Sequence, residues 1–166
     1  MKRLLLLVAV TIMGITAVLA ESPASQSYLI EDTGYHIELP ADWTIEESAA
    51  DPAQALLIAR SETLRFYLWL NRQDGWHLAD WQSALQKASS RNSVLEDSFA
   101  EETIADRTFV SYCYEREESD EDARVMYVTE LETGVFLTFE FRSDDAATLS
   151  QSQKMETVLC SLTNEP

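Results

Sequence analysis

The sequence is short of the residues that most reactions need. It has 2 histidines, 2 cysteines, 4 glycines and 12 Lys+Arg in 166 residues. With so few imidazoles and thiols, no zinc site can be drawn at ligand spacing. Neither His36 nor His77 has a Ser, Cys, Asp or Glu at the spacing of a known catalytic motif. A Cys113–His dyad is the most reactive arrangement the chain could assemble. A strand cysteine in an exported protein is more often buried or bridged. Scarce positive charge excludes other classes: nucleic acid and anionic lipid surfaces are repelled by a chain of net charge −17. No internal repeat and no low-complexity tract is present, and no cofactor-binding pattern stands out.

What is there begins with export. Lys2 and Arg3 precede an almost wholly apolar run, Leu4 to Leu19, and Val18-Leu19-Ala20 is small where a signal peptidase inspects the chain. Residues 1–20 therefore read as a signal peptide cleaved after Ala20. The alternative, an uncleaved anchor, is disfavoured by Gly14 and by a run short of a comfortable membrane span. No cysteine follows that could carry a lipid, so the mature chain is expected as a soluble periplasmic or secreted protein with no stable membrane anchor. Losing two cations leaves 10 Lys and Arg against 29 Asp and Glu, a net charge of −19. Such a field steers in basic partners, or simply keeps an exported protein soluble.

Residues 21–33, with Ser22, Pro23, Ser25 and Ser27, read as a flexible lead. A single domain over 34–164 follows. Tyr35, Ile37 and Leu39 alternate with His36 and Glu38, the period of a half-buried strand, and Pro40 ends the pairing. Trp43–Glu47, Ala55–Arg60 and Leu64–Asn71 are further strands. Phe66 to Leu70 is apolar on both alternating faces, which demands cover on both sides of the sheet. Leu78, Trp81, Leu85 and Ala88 form the stripe of an amphipathic helix that runs to about Arg91, with Asp80 suited to its first turn. Ser93–Glu102 has the polarity of an edge strand. Thr108–Glu117 and Ala123–Glu132 make a hairpin that places Tyr112 and Tyr114 on the face of Met126 and Val128, and Cys113 opposite Tyr127. Val135–Arg142 is the last long strand. A second helix, capped by Ser143-Asp144-Asp145, carries Ser152, Met155, Val158, Leu159 and Leu162 on one side. The fold class is α+β, an antiparallel meander sheet covered by helices on both faces.

Gly34-Tyr35-His36-Ile37-Glu38-Leu39-Pro40 followed by Trp43, together with this element order, resembles the PsbP-like superfamily, which includes the DcrB-like exported bacterial proteins. The resemblance implies an α/β/α sandwich. It also implies mostly non-enzymatic work as accessory subunits, chaperone-like adaptors and binding proteins. The chain departs from DcrB-like proteins in lacking an acylable cysteine. It departs from the cytoplasmic adaptors of this fold that serve type VI secretion effectors in carrying an export signal. One fold hosts many functions, so neither role transfers by itself.

Three candidate features remain. Cys113 and Cys160 could form a disulfide between strand and helix, closing a loop of about 48 residues worth about 4 kcal/mol; two buried free thiols are the alternative. Glu115, Glu117, Glu118, Asp120, Glu121 and Asp122 crowd the hairpin tip. No glycine there provides the sharp turn of a twelve-residue calcium loop, so the tip is solvated, or Glu118, Asp120, Glu121 and Asp122 dock a basic partner. Trp76, beside Asp74-Gly75 at a strand-to-helix junction, could anchor an interface or pack over a sheet end. The expected function is an exported, non-enzymatic protein that binds another protein or supports an envelope assembly. The alternatives are an acidic inhibitor or immunity protein against a basic secreted enzyme and, less favoured, an enzyme such as a hydrolase.

Overall fold

The computed structural model describes residues 25–46, 55–88, 94–114, 123–150 and 153–164. Two antiparallel sheets share one core. The smaller is built from β1 (Gln26–Ile30), β2 (Tyr35–Leu39) and the two-residue β10 (Thr163–Asn164), in the order β1-β2-β10. The larger comprises β3 (Thr44–Glu46), β4 (Leu57–Arg60), β5 (Arg65–Arg72), β6 (Ala100–Ile104), β7 (Arg107–Cys113), β8 (Ala123–Glu132) and β9 (Val135–Ser143). Its order is β3-β4-β5-β9-β8-β7-β6. Among the described residues the α-helices are α1 (Leu78–Ala88), α2 (Ala146–Ser150) and α3 (Gln153–Cys160).

The strand at Tyr35 alternates as its sequence requires, with Ile37 and Leu39 fully buried. It nevertheless lies in the smaller sheet. Beyond it Trp43 donates its N–H to the Pro40 carbonyl at 3.0 Å. The turn swings the chain across the core, where Trp43 packs 5.7 Å from Phe66. The lead expected over 21–33 is corrected in part, because residues 26–30 are β1, paired along the whole of β2 from Gln26↔Leu39 to Ile30↔Tyr35. Hydrophobic periodicity misses β1 because two of its inward side chains are polar and are held by hydrogen bonds. Gln26 Nε2 donates to the Trp43 carbonyl at 2.8 Å, and the Tyr28 hydroxyl donates to the Leu56 carbonyl at 2.9 Å.

In the larger sheet β9 is central and buried on both faces, Arg142 alone being only half-buried. Leu137, Phe139 and Phe141 join Phe66, Leu68 and Phe109 on the face covered by the smaller sheet and α3. On the opposite face Phe136 packs with Tyr112, Met126 and Val128 under Trp76, Leu78, Trp81 and Leu85 at the α1 side. Helices thus lie on both faces, and the smaller sheet shares one side with α3. Burial of aromatic side chains on this scale is the main stabilising term.

The hairpin puts Tyr112 on the face of Met126 and Val128, as expected, but Tyr112 stands opposite Met126, Cys113 opposite Val125 and Ser111 opposite Tyr127. The face was right and the partner was two residues away, because the long tip leaves the register to packing rather than to turn geometry. The edge strand proves shorter than its polar stretch. It is preceded by a 3₁₀ turn at Glu96–Ser98 and an isolated bridge, Val94↔Tyr114. Of the expected C-terminal helix, α2 and α3 are described, while Ser152 lies outside the described residues. Asp145 caps α2, accepting the Ala147 N–H at 3.0 Å, and Met155, Val158 and Leu159 of α3 enter the core. Helix α1 starts under two carboxylates that complement its dipole. Asp80 accepts the His77 N–H at 3.0 Å, and Glu130 of β8 accepts the Leu78 N–H at 2.8 Å.

Candidate apolar groove

The end of β7 is where the sheet stops being regular. Beyond Ser111, the β6 neighbour is replaced by the segment at Val94 and Leu95. Leu95 donates its N–H to the Cys113 carbonyl at 3.0 Å, and Ser98 Oγ accepts the Cys113 N–H at 2.8 Å. This stitching holds Leu95 at the sheet edge, where it stays 43% exposed. Across from it α2 and α3 stand off the face of β7 and β8. The space between is a groove of about 440 Å³ lined by Leu95, Val125, Tyr127, Leu149 and Met155, with Cys113 in its wall. Tyr114 and Ala123, also lining it, are the two ends of the 115–122 connection.

Three groups in the groove, Cys113, Tyr114 and Tyr127, titrate unusually, each raised chiefly by burial. Burial, aided by the Glu102 charge, pushes the Tyr127 hydroxyl up to about 12. Burial also pushes the Cys113 thiol up, which holds it as an uncharged thiol at neutral pH and works against a role as nucleophile. The wall is therefore uncharged apart from Arg124 at its rim. It suits an apolar side chain better than a reaction centre.

Of the two alternatives for Cys113 and Cys160, the structure has both as free thiols. The geometry explains it: the buried stripe of α3 runs through Met155, Val158 and Leu159, which turns Cys160 to solvent, whereas Cys113 lies half-buried in the sheet. Glu118, Asp120, Glu121 and Asp122 lie outside the described residues. Trp76 is half-buried against the cluster under α1 and does not line the groove. It donates its N–H to the Gln73 carbonyl at 3.1 Å and accepts the Gly134 N–H at 2.9 Å, which makes it a corner post between two turns. The sequence assigned no site to the groove residues Leu95, Tyr127, Leu149 and Met155; Tyr127 and Met155 entered it only as parts of a strand pairing and a helix stripe.

The histidines are engaged locally. His36 Nε2 lies 2.8 Å from Thr163 Oγ1, and His77 Nδ1 lies 2.9 Å from Glu130 Oε1. The latter pair opens on a hollow of about 900 Å³ that also includes Arg107 and Thr108. Glu130 also binds the first amide of α1, so its established contact is a helix cap. Among the described residues, no group of three or more His, Cys, Asp or Glu is placed to hold a metal ion, and no helix is long and apolar enough to cross a membrane.

No sequence-family description and no curated protein matches the chain. Solved structures do. Cyanobacterial PsbP (CyanoP) from Synechocystis sp. PCC 6803 superposes with a TM-score of 0.58 at 14% identity, over 96% of this chain and 99% of that one. The fold is PsbP-like. LpqN of Mycobacterium tuberculosis, described as involved in cell envelope biogenesis, matches at 0.50 and 11% identity over 86% of this chain and 91% of its own. A Bacteroides thetaiotaomicron protein matches at 0.53 and 14% identity over 80% of this chain, which spans 45% of that protein's length. At these identities the PsbP-like architecture is shared, and function has to be argued from the groove.

Proposed function

We propose that the chain is an exported, non-enzymatic accessory protein that holds an apolar anchor of a basic partner protein in the groove between β7–β8 and α2–α3. One observation carries the reading: the groove is apolar-walled, and the connection bearing six carboxylates leaves and returns at its rim through Tyr114 and Ala123. An apolar anchor with flanking Lys or Arg meets both chemistries, the buried contact holding it and the charges speeding encounter. The signal-like residues 1–20 and the envelope association described for LpqN support the exported setting. A basic secreted enzyme held in this way would make the chain its inhibitor, a reading favoured by the net charge of −17.

The test places a photo-crosslinking residue at Leu95 and, as a control, at Ile45, which is 39% exposed on the far edge strand. In envelope extract the Leu95 probe captures one basic protein, and capture falls as salt shortens the Debye length to about 3 Å near 1 M. Equal capture from both positions, or capture indifferent to salt, overturns the assignment. Assaying the captured protein for an activity that the chain suppresses separates inhibitor from accessory factor.

A further inference from the structure

Among the described residues the two sheets end on four strands, β1 and β10 in the smaller and β3 and β6 in the larger. An open edge is a row of unpaired backbone donors and acceptors, and natural sheets blunt it with short strands, charge, proline or bulges. β10 has two residues, β3 has three and carries Glu46, and β6 carries Glu101 and Glu102 in succession. β1 has none of these devices. Its five residues include no charge and no proline, and its pairing with β2 runs from Gln26 to Ile30 without a bulge. Tyr28 and Ile30 pack on the core side, so Ser27 and Leu29 face outward. Leu29 is 64% exposed, the most exposed large apolar side chain among the described residues.

The backbone sets the class of occupant and the side chains select it. Alternate residues of β1 direct N–H and C=O away from β2, and another extended strand is what meets such a row along its length. Antiparallel pairing of β1 with itself about Leu29 sets Leu29 against Leu29 of a second copy, Tyr28 against Ile30 and Ser27 against Glu31. Apolar side chains then meet apolar ones and no carboxylate stands opposite a carboxylate. The same operation on β6, centred on Glu102, sets Glu102 against Glu102. Self-complementarity about a twofold axis is therefore a property of β1 and not of the acidic edge.

We propose that β1 is a homodimerisation edge, at which two copies pair antiparallel about a twofold axis at Leu29 and join their smaller sheets into one of six strands, three from each. A five-residue edge buries less than the roughly 1,000 Å² of a standing interface, so the dimer is weak and forms as concentration rises. Charge sets its salt dependence. Glu38 stands opposite Ser27 on β2, and the pairing brings Glu31 of the second copy to the other side of Ser27, two strand spacings or about 9.6 Å from Glu38. That repulsion, added to the net negative charge of both copies, is relieved by salt. The edge shares no residue with the apolar groove, whose basic partner salt releases, so dimer and groove are tested apart.

The experiment follows the mature chain by sedimentation up to about 1 mM, in about 0.1 M and about 1 M sodium chloride, alongside amide hydrogen exchange. A reversible monomer–dimer equilibrium is expected, tighter at the higher salt, with exchange over residues 27–31 slowing as concentration rises. In Leu29→Lys the dissociation constant is at least tenfold weaker. Leu29 points to solvent, so that variant keeps the fold, which an unchanged circular dichroism spectrum verifies; if it does not fold, the exchange pattern of the unaltered chain still decides. Ile45→Lys, on the edge strand of the larger sheet, leaves the dimer unchanged. A chain that stays monomeric throughout, a dimer that survives Leu29→Lys, or protection confined to other strands overturns the proposal. So does a dimer that loosens as salt rises.

Discussion

The turn between β8 and β9 offers a sharp test of how the sheet is pinned at its α1 end. Gly134 has φ +80°, and a Cβ added there would stand 2.7 Å from the Gln73 carbonyl oxygen and 3.3 Å from its carbon. The same backbone pair is joined by a hydrogen bond from the Gln73 N–H to the Gly134 carbonyl at 2.8 Å. Gly134→Ala therefore carries two costs. Left-handed backbone costs an alanine about 1–2 kcal/mol. Moving the Gln73 carbonyl aside disturbs a hydrogen bond worth about 1 kcal/mol. The sum is about 2–3 kcal/mol, which lowers the urea midpoint by about 1–1.5 M at a slope of about 2 kcal/mol/M. Gly75 supplies the control, with φ +75° and nothing within 4 Å of the added carbon. Gly75→Ala should show only the backbone cost, a fall of about 0.5–1 M. If the two variants unfold at the same midpoint, close approach to Gln73 contributes nothing and the pinning argument fails.

Further outcomes follow from contacts already described. Glu130→Ala removes the acceptor for the Leu78 N–H and should cost about 1–2 kcal/mol in urea unfolding, whereas Glu132→Ala, exposed on the same strand, should be nearly neutral. Phe139→Ala, deep in the core beside Phe66 and Phe109, should cost about 3–5 kcal/mol by the same measurement. The Tyr127 hydroxyl, pushed up to about 12 from 10.0, binds its proton more tightly when folded. Its contribution to stability is therefore complete below pH 10 and lost as the pH rises from there through 12; phenolate absorbance and unfolding should move together, and a folded Tyr127 ionising near pH 10 would contradict this. Maleimide at neutral pH should modify exposed Cys160 well before Cys113, with mass spectrometry of the unreduced protein finding two thiols.

The contrast between what the sequence disclosed and what it withheld has a physical basis. Where a strand buries apolar side chains at a regular period, the chain advertises it. Phe66 to Leu70 announced cover on both faces, and α1 and the core around Phe139 provide it. Where burial is polar the signal fades, as in β1, whose inward Gln26 and Tyr28 look like a linker until their acceptors at Trp43 and Leu56 are placed. The strand at Tyr35 was read as an element of the main sheet because periodicity records a buried face and not the partner strand. The PsbP-like architecture could therefore be anticipated while the sheet membership of its opening strand could not.

The groove and the arginine row across β4, β5, β9 and β8 were hidden for a related reason. Leu95, Tyr127, Leu149 and Met155 each fit an ordinary local role in a loop, strand or helix. They become a groove because the Val94↔Tyr114 bridge carries Leu95 to the end of β7 and because the helical segment after β9 lies over the same face. Arg60, Arg65, Arg124 and Arg142 are scattered through the sequence and become a row by register alone. A one-residue slip of any of these strands would send one of the arginines to the opposite, core-facing side, beside Phe66 and Phe141. The same apolar core that fixes the register of β4, β5, β8 and β9 therefore also aligns the arginines. The like charges so aligned are offset locally, Arg60 by Glu46 and Arg142 by the buried Glu140, so that each charge reaches an opposite one on the same face of the sheet.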